Sequence, residues 1–369
     1  MSVADTRPLR IGIIGLGAWG ARAHFPAFSS LPAVEVVAIA DPDDAPRHAA
    51  ADLGIPRIEA DPFRLLRDTD GLDAVVIATP DDTHRDLVLA AFEAGLHVLC
   101  EKPLAYSLPQ AEEMTAAAER AGLIAKVGFL FRHSPVVKRM RDLIDAGLIG
   151  DVQLFEHVGV NAQFIDPDRP MHWKMQRQHA PGGVFVEYGA HTIDLALWFG
   201  GSLTRVVGHA LTLVAERPLA GSGGAAAQVE HDDVAAWIGE YGSGGQALFR
   251  SSWTSLQAGV AGMRVSGTKG TLFWEQSGRR SEALIAATLD EPESRTLFSF
   301  EPPHDPAIDD GPFPLGIFAH YNRGLAESFV NDIRAGVVTG PSFADGLAAQ
   351  RVLAAIRTSL DEQRWAAVV

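Results

Sequence analysis

The sequence has one cysteine, Cys100, in 369 residues, so no disulfide can form within the chain and its thiol reads as a small packed hydrophobe. No apolar run reaches transmembrane length. Met1 to Arg10, which carries Asp5, Arg7 and Pro8, does not resemble a signal peptide, and a cytoplasmic location is expected. Basic residues are short relative to acidic ones, 31 against 46, for a net charge of -15. That charge repels phosphate backbones and anionic membrane surfaces, so neither nucleic acid nor membrane is an expected partner. The chain also lacks a G-x-S-x-G elbow, an H-E-x-x-H pair and any cysteine-containing zinc pattern. His172, His179 and His191 fall in one region, but 13 histidines make such groupings easy, and no metal is expected.

What is present is a globular composition, 47% hydrophobic and 21% charged without low-complexity tracts, long enough for two domains with real cores. The short apolar strand Arg10 to Ile14 runs into Gly15-Leu16-Gly17-Ala18-Trp19-Gly20, and a helical segment follows through Leu31. This is G-x-G-x-x-G in its required setting. Gly15 makes the tight turn, Gly17 admits a pyrophosphate to the backbone and Gly20 lets helix and strand pack. Ala18 and Trp19 share that loop and count as cofactor-binding. The next strand, Val34 to Ala40, ends at Asp41, placed to accept bonds from the adenosine ribose. A 2'-phosphate about 4 Å from that carboxylate would be repelled by on the order of a few kcal/mol, so NAD is expected over NADP. Arg47 reads as a helix-surface arginine, the alternative being that it folds back toward the ribose and softens that preference. Further alternation follows: helix Asp44 to Leu53, a strand near Ile58, helix Pro62 to Arg67, strand Ala74 to Ala78, helix His84 to Ala94, strand His97 to Cys100, a helix to Ala121 and strand Ala125 to Gly128. Repeated units of this length predict a doubly wound parallel sheet.

Glu101-Lys102-Pro103 follows the strand that ends at Cys100. Open α/β sheets bind ligands outside the carboxyl ends of their strands, so Lys102 faces the ligand crevice. Pro103 restricts the lysine's backbone and allows a cis bond there. Thr79, Pro80, Asp81, Asp82 and His84 stand on the same rim; His84 either touches the cofactor or starts its helix. His97, placed just before its strand, reads as packing or hydrogen-bonding.

Beyond a helix to Ala146 the pattern changes to successive strands: Val152 to Val160, Thr204 to Ala215, Val234 to Tyr241, Ala247 to Trp253, Ala261 to Ser266, Thr271 to Glu275, and two more around Ala283 to Leu289 and Arg295 to Phe300. These predict a large, open, mainly antiparallel sheet, with Ile317 to Ala335 and Phe343 to Leu360 as its helical cover. An apolar second face implies another subunit. Pro218 to Glu230, with Gly221, Gly223 and Gly224, and Pro302 to Pro314 read as loops. The domains expected are 1–130 and 131–369, with room for the C-terminal helices to pack back on the first. Pro181 to Asp194 breaks the strand pattern. If helical from Glu187, it sets Glu187, His191 and Asp194 on one face, either a polar pocket or a solvated salt-bridged surface. Gln163 to Gln178 and the neighbourhood of His231 and Asp232 are pocket-loop candidates; Trp173, Lys174 and Arg177 suit a polyol or an acidic sugar.

With these residues in hand, the sequence resembles the glucose-fructose oxidoreductase and inositol dehydrogenase superfamily, Gfo/Idh/MocA. The resemblance rests on the glycine loop, Asp41, Ala78-Thr79-Pro80 with His84, Glu101-Lys102-Pro103, Arg132 before Pro135, and the Gly182-Gly183 to Asp194 stretch. It implies an N-terminal Rossmann domain, a C-terminal α+β domain on an open sheet, and NAD(P)-dependent action on sugars or cyclitols; the open sheet itself leads to the expectation of a homodimer or homotetramer. By the same resemblance Lys102 and His191 are catalytic, Glu187, which stands where an aspartate is usual, is the catalytic pair's orienting carboxylate, Asp194 and Arg132 lie near the site as substrate contacts, and Glu101 lies near the nicotinamide ribose. Asp81 replaces a usual asparagine. His191, with an ordinary pKa of about 6.5, suits proton acceptance near neutral pH, and a Lys102 ammonium stabilises charge on the reacting oxygen; burial of the lysine would exchange the two roles. Two other readings remain open at this stage: a redox-assisted glycosidase and a nonenzymatic NAD-binding sensor.

Overall fold

A computed structural model describes residues 7–221, 225–256, 261–304 and 315–369 of the chain. Of the expected loops, Gly223, Gly224 and residues 305–314 lie outside the described residues, as does most of the N-terminal segment. The chain forms two compact units. The first takes in the described residues of Met1–Ala105, Pro109–Leu130 and His304–Gly346, and the second those of Tyr106–Leu108, Phe131–Pro303 and Leu347–Val369.

In the first unit six parallel strands form one sheet: β1 (Leu9–Ile14), β2 (Val34–Ala40), β3 (Arg57–Glu59), β4 (Ala74–Ile77), β5 (His97–Cys100) and β6 (Ala125–Val127). Their spatial order is β3-β2-β1-β4-β5-β6, so the direction of winding reverses between β1 and β4, where a doubly wound sheet opens its ligand crevice. Ile11, Ile13, Val75, Val76 and Val98 are fully buried, as strands covered on both faces require. His97 opens β5, whose bounds are His97–Cys100; its Nδ1 accepts the Ile124 amide at 2.9 Å, a structural bond.

The helix after the glycine loop is not uniform. Phe25 donates its amide to Gly20 O, five residues back, making a wide turn over Gly20–His24 before the helix Phe25–Ser29. Pro26 has no amide to close a normal turn onto Arg22, and the wider turn accommodates it. Helix Ile317–Ala335 packs here too, with Phe329 edge-on to Phe28 at 6.3 Å. It thus takes the option the sequence left open, of packing back on the first unit. Lys126 of β6 fastens the same segment: its ammonium reaches Ser328 Oγ at 2.8 Å, Asp332 Oδ2 at 2.5 Å and Gly340 O at 2.7 Å.

The second unit is built on nine strands: β7 (Val152–Val160), β8 (Leu203–Leu211), β11 (Val234–Tyr241), β12 (Gln246–Ser252), β13 (Ala261–Gly267), β14 (Gly270–Ser277), β15 (Ser281–Thr288), β16 (Arg295–Phe300) and the short β17 (Ala366–Ala367). A separate hairpin of β9 (Glu216–Pro218) and β10 (Ala226–Gln228) lies in the segment read as a loop. The order is β16-β15-β14-β13-β7-β12-β11-β8-β17, antiparallel throughout except for β12 beside β7. Along β11 side chains alternate, Ala235, Trp237 and Tyr241 inward and Ala236 and Ile238 outward, the period of a sheet with one buried face. Helices Gly189–Gly200, Pro135–Asp145 and, beside β8, Phe343–Glu362 supply the inner cover; Gly208 donates its amide to Ser359 Oγ at 3.0 Å. No described helix is long and apolar enough to cross a membrane.

Candidate functional site

In the first unit the glycine loop leaves β1 at the point where the winding reverses. Gly15 has φ +89°, and a Cβ there would lie 2.6 Å from Ala78 O. A Cβ at Gly20 would fall 2.0 Å from Gly15 O, whereas one at Gly17 would meet nothing within 4 Å. Two glycines are therefore demanded by packing, and the middle one opens onto the space a pyrophosphate needs to reach the backbone. Asp41 closes the other side: its Oδ2 accepts the Leu16 amide at 2.7 Å and its Oδ1 accepts the Asp43 amide at 2.9 Å. A carboxylate has about four acceptor sites, so two remain for ribose hydroxyls. The cradle fits a dinucleotide. Arg47, partly exposed on its helix, folds back onto the carbonyls of Asp41 at 2.8 Å and Pro42 at 2.5 Å and pairs with Asp44.

Glu101, directly after β5, is buried and held by three donors. Trp19 Nε1 (3.0 Å) and His24 Nε2 (2.8 Å) meet its Oε1, and the Lys102 amide meets Oε2 at 3.1 Å. The wide turn over Gly20–His24 carries His24 to this position. Gly128 makes the space, since a Cβ there would lie 2.7 Å from Glu101 Oε1. Burial alone would raise the carboxyl's pKa; the hydrogen bond and charge of His24, with Lys102, outweigh it and hold the group at about 2. Glu101 thus joins the glycine loop to the backbone of Lys102. The Lys102–Pro103 bond is cis. Thr79 stands at the rim, with Thr83 Oγ1 on its hydroxyl at 2.6 Å. His84 is elsewhere in role: fully buried, its ring nitrogens lie 3.1 Å from the carbonyls of Pro103 and Thr79. It braces the rim, and nothing exposes it to a cofactor; burial lowers its pKa.

In the second unit the Pro181 to Asp194 stretch forms two helical pieces, Val184–Glu187 and Gly189–Gly200, interrupted at Tyr188. Asp232 anchors the first by accepting the amides of Gly183 at 3.0 Å and Phe185 at 2.9 Å. A Cβ on Gly183 would sit 2.1 Å from Asp232 O, which explains the glycine. His191 and Asp194 are buried, so they do not form a solvated face. Arg132 holds Asp194 by a two-pronged pair at 2.8 and 2.5 Å and stacks on Trp198. The neighbouring Phe131 ring lies 4.7 Å from the His191 ring. Glu187 pairs with Lys174 Nζ at 2.5 Å, and Lys174 lies over Trp173 at 5.5 Å. His172 accepts the Lys174 amide through Nδ1 at 3.3 Å; burial and the Lys174 charge push its pKa down to about 4, leaving it neutral to accept.

Within each unit, then, the structure gathers Gly15, Gly17, Trp19, Gly20, Asp41, Glu101 and Thr79 around one crevice, and groups Trp173, Glu187, His191, Asp194 and Arg132 around the interrupted helix. Sequence reasoning missed His24, Gly128 and the anchoring role of Asp232. No spacing rule pairs residues 24 and 128 with 101, or 232 with 183.

Two family models match the chain: an oxidoreductase family with an NAD-binding Rossmann fold over residues 9–129, and a GFO/IDH/MocA C-terminal domain over residues 137–273. Levoglucosan dehydrogenase of Pseudarthrobacter phenanthrenivorans is 29% identical over 97% of each chain. The scyllo-inositol 2-dehydrogenase (NAD(+)) of Bacillus subtilis is 30% identical over 72% of this chain and 73% of its own. Among solved structures, a levoglucosan dehydrogenase in complex with NADH and L-sorbose superposes with a TM-score of 0.86 at 25% identity, covering 98% of this chain and 99% of that one. Rossmann sheet, glycine cradle and open second sheet agree with these matches, and the chain belongs to the Gfo/Idh/MocA family of NAD-binding oxidoreductases.

Proposed function

We propose that the protein transfers hydride between a secondary hydroxyl of a sugar, cyclitol or related polyol and NAD. The observation that carries this reading is the Glu101 carboxylate, fixed by the glycine loop's own Trp19 and by His24, with Lys102 immediately after it. Such an arrangement ties a reactive ammonium to the cofactor cradle. Gly15, Gly17, Ala18, Trp19, Gly20, Asp41, Thr79, Pro80 and Glu101 would hold the dinucleotide, which when bound supplies the hydride acceptor. Lys102 donates a hydrogen bond to the reacting oxygen and stabilises its developing charge. His191 accepts the hydroxyl proton, and the pair of Arg132 with Asp194 holds the chain segment that carries the Phe131 ring against it. Glu187 and Trp173 contact the substrate. Relatives named as dehydrogenases favour net oxidoreduction over a redox-assisted glycosidase or a sensor.

The same reading places the enzyme in the cytoplasm as a homodimer or homotetramer joined through the outer face of the large sheet. That face carries the register row Ile238, Leu248, Glu156, Arg264, Phe273 and Ile285. Apolar groups flank the central Glu156–Arg264 pair, 3.3 Å apart, a surface suited to a second copy. The deciding experiment incubates the protein with NAD+ and a panel of sugars, inositols and glycosides and follows NADH absorbance. Substrate-dependent NADH supports the proposal; glycoside cleavage without net NADH, or NAD binding with no turnover on any polyol, refutes it.

A further inference from the structure

We propose that Glu282 is a positioning residue for His191, holding in place, through Trp274 and Ser134, the Phe131 ring against which that histidine lies. This rests on the reading of His191 as the proton acceptor and names what sets its position. Glu282, on β15, is 2% exposed on the inner face of the large sheet, where helix Pro135–Asp145 packs. Its Oε2 accepts from two side chains at once, the Trp274 indole Nε1 at 2.6 Å and the Ser134 hydroxyl at 2.7 Å. An indole has a single N–H to give. Ser134 Oγ already accepts the Val137 amide at 3.0 Å as the N-cap of its helix, so the hydroxyl's one proton points at the carboxyl.

Both contacts converge on Phe131. Trp274 meets its ring edge-on, with centroids 5.6 Å apart, and Ser134 ties down its backbone three residues further on. Phe131 in turn lies 4.7 Å from the His191 ring, inclined at 46°. Arg132, the next residue, holds Asp194, which follows His191 on helix Gly189–Gly200. Residues 131–134 therefore grip that helix at two points, and Glu282 grips the segment. An imidazole turns about its outer torsion with little intrinsic preference, so packing decides where its nitrogens point. Proton transfer needs a nitrogen within about 3 Å of the hydroxyl, and a misplacement of about 1 Å costs on the order of 100-fold in rate. Burying a carboxyl costs free energy that an apolar side chain would not; here it fixes the two donors that set the ring beside the histidine.

The test reads position and rate separately. The His191 ring signal is followed by NMR in histidine-labelled protein saturated with NADH, assigned through His191→Asn, and kcat and KM are measured on myo-inositol and glucose. Glu282→Leu leaves both donors without their acceptor. It should shift the His191 signal and lower kcat on the order of 10- to 100-fold, with NADH affinity retained and KM little changed. Glu282→Gln, whose amide oxygen still accepts from both, should restore the signal and most of the rate. A lowered melting temperature in Glu282→Leu with signal and kcat unchanged overturns the proposal, and so does a Glu282→Gln variant as impaired as Glu282→Leu. Where Glu282→Leu does not fold, Ser134→Ala decides: it removes one donor, keeps the Trp274 bond and should move the signal the same way by a smaller amount. An unmoved signal in Ser134→Ala counts against the proposal. Failure of the oxidoreductase reading shows differently: the wild type forms no NADH with any polyol, while the His191 signal still reports whether Glu282 sets its position.

Discussion

Replacing Glu101 by glutamine removes a charge from the best-anchored carboxylate of the cofactor crevice. Its pKa of about 2 in the folded protein compares with 4.5 for the ordinary group, a difference worth about 3 kcal/mol of folding free energy. The folded value is the lower one. The stabilisation is therefore complete above about pH 4.5 and fades as the pH falls toward 2, with about 2 kcal/mol gone by pH 3. In Glu101→Gln the amide oxygen still accepts from Trp19 or His24, but no carboxylate remains to titrate. Urea unfolding of both proteins at several pH values, followed by hydrogen exchange on peptides covering β5, reads the first unit selectively. The stability gap between wild type and variant should shrink by about 2 kcal/mol between pH 7 and pH 3. A gap that stays constant over that range would refute the argument that Glu101 is a buried carboxylate held charged by His24.

Lys102→Ala and His191→Ala should each lower kcat/KM by about 10²–10⁴-fold with NADH affinity retained; parallel loss of NADH binding in a titration sinks the catalytic assignment. Gly17→Val should leave the melting temperature unchanged and weaken NADH binding, because a side chain there enters open space. Gly20→Val should instead damage the fold, since its Cβ would meet Gly15 O at 2.0 Å. Asp41→Ser should raise the NADP to NAD affinity ratio on the order of tenfold or more, helped by Arg47 already lying across the Asp41 and Pro42 carbonyls. An unchanged ratio means another group excludes the 2'-phosphate. Lys126→Met should cost about 3–5 kcal/mol in the first unit, because it leaves Asp332 buried without its ammonium; thermal unfolding shows it directly.

The first unit was largely legible in the sequence because its rules are local. A glycine loop between strand and helix, an acid at the end of the second strand and repeated βα spacing all act over short stretches, and each landed where expected. The strands of the second unit were legible from the period of two, although the parallel pairing of β12 with β7 was not, since alternation is blind to a neighbour's direction. Helix Ile317–Ala335 shows the same limit: its apolar face is evident, but the sheet it covers is not.

By itself the sequence determined the Rossmann architecture, the open sheet and the NAD cradle, and through its family resemblance it offered Lys102 and His191 as candidates. Tertiary structure alone decided the partners. Burial brought His24, Trp19 and Gly128 to Glu101, folded Arg47 over the Asp41 carbonyl, turned His84 into a brace and set Lys174 against Glu187. Charges separated by many residues find one another only when the core brings them together, and in low dielectric each must then be matched. That matching, not the residue types, decides which charges end in ion pairs.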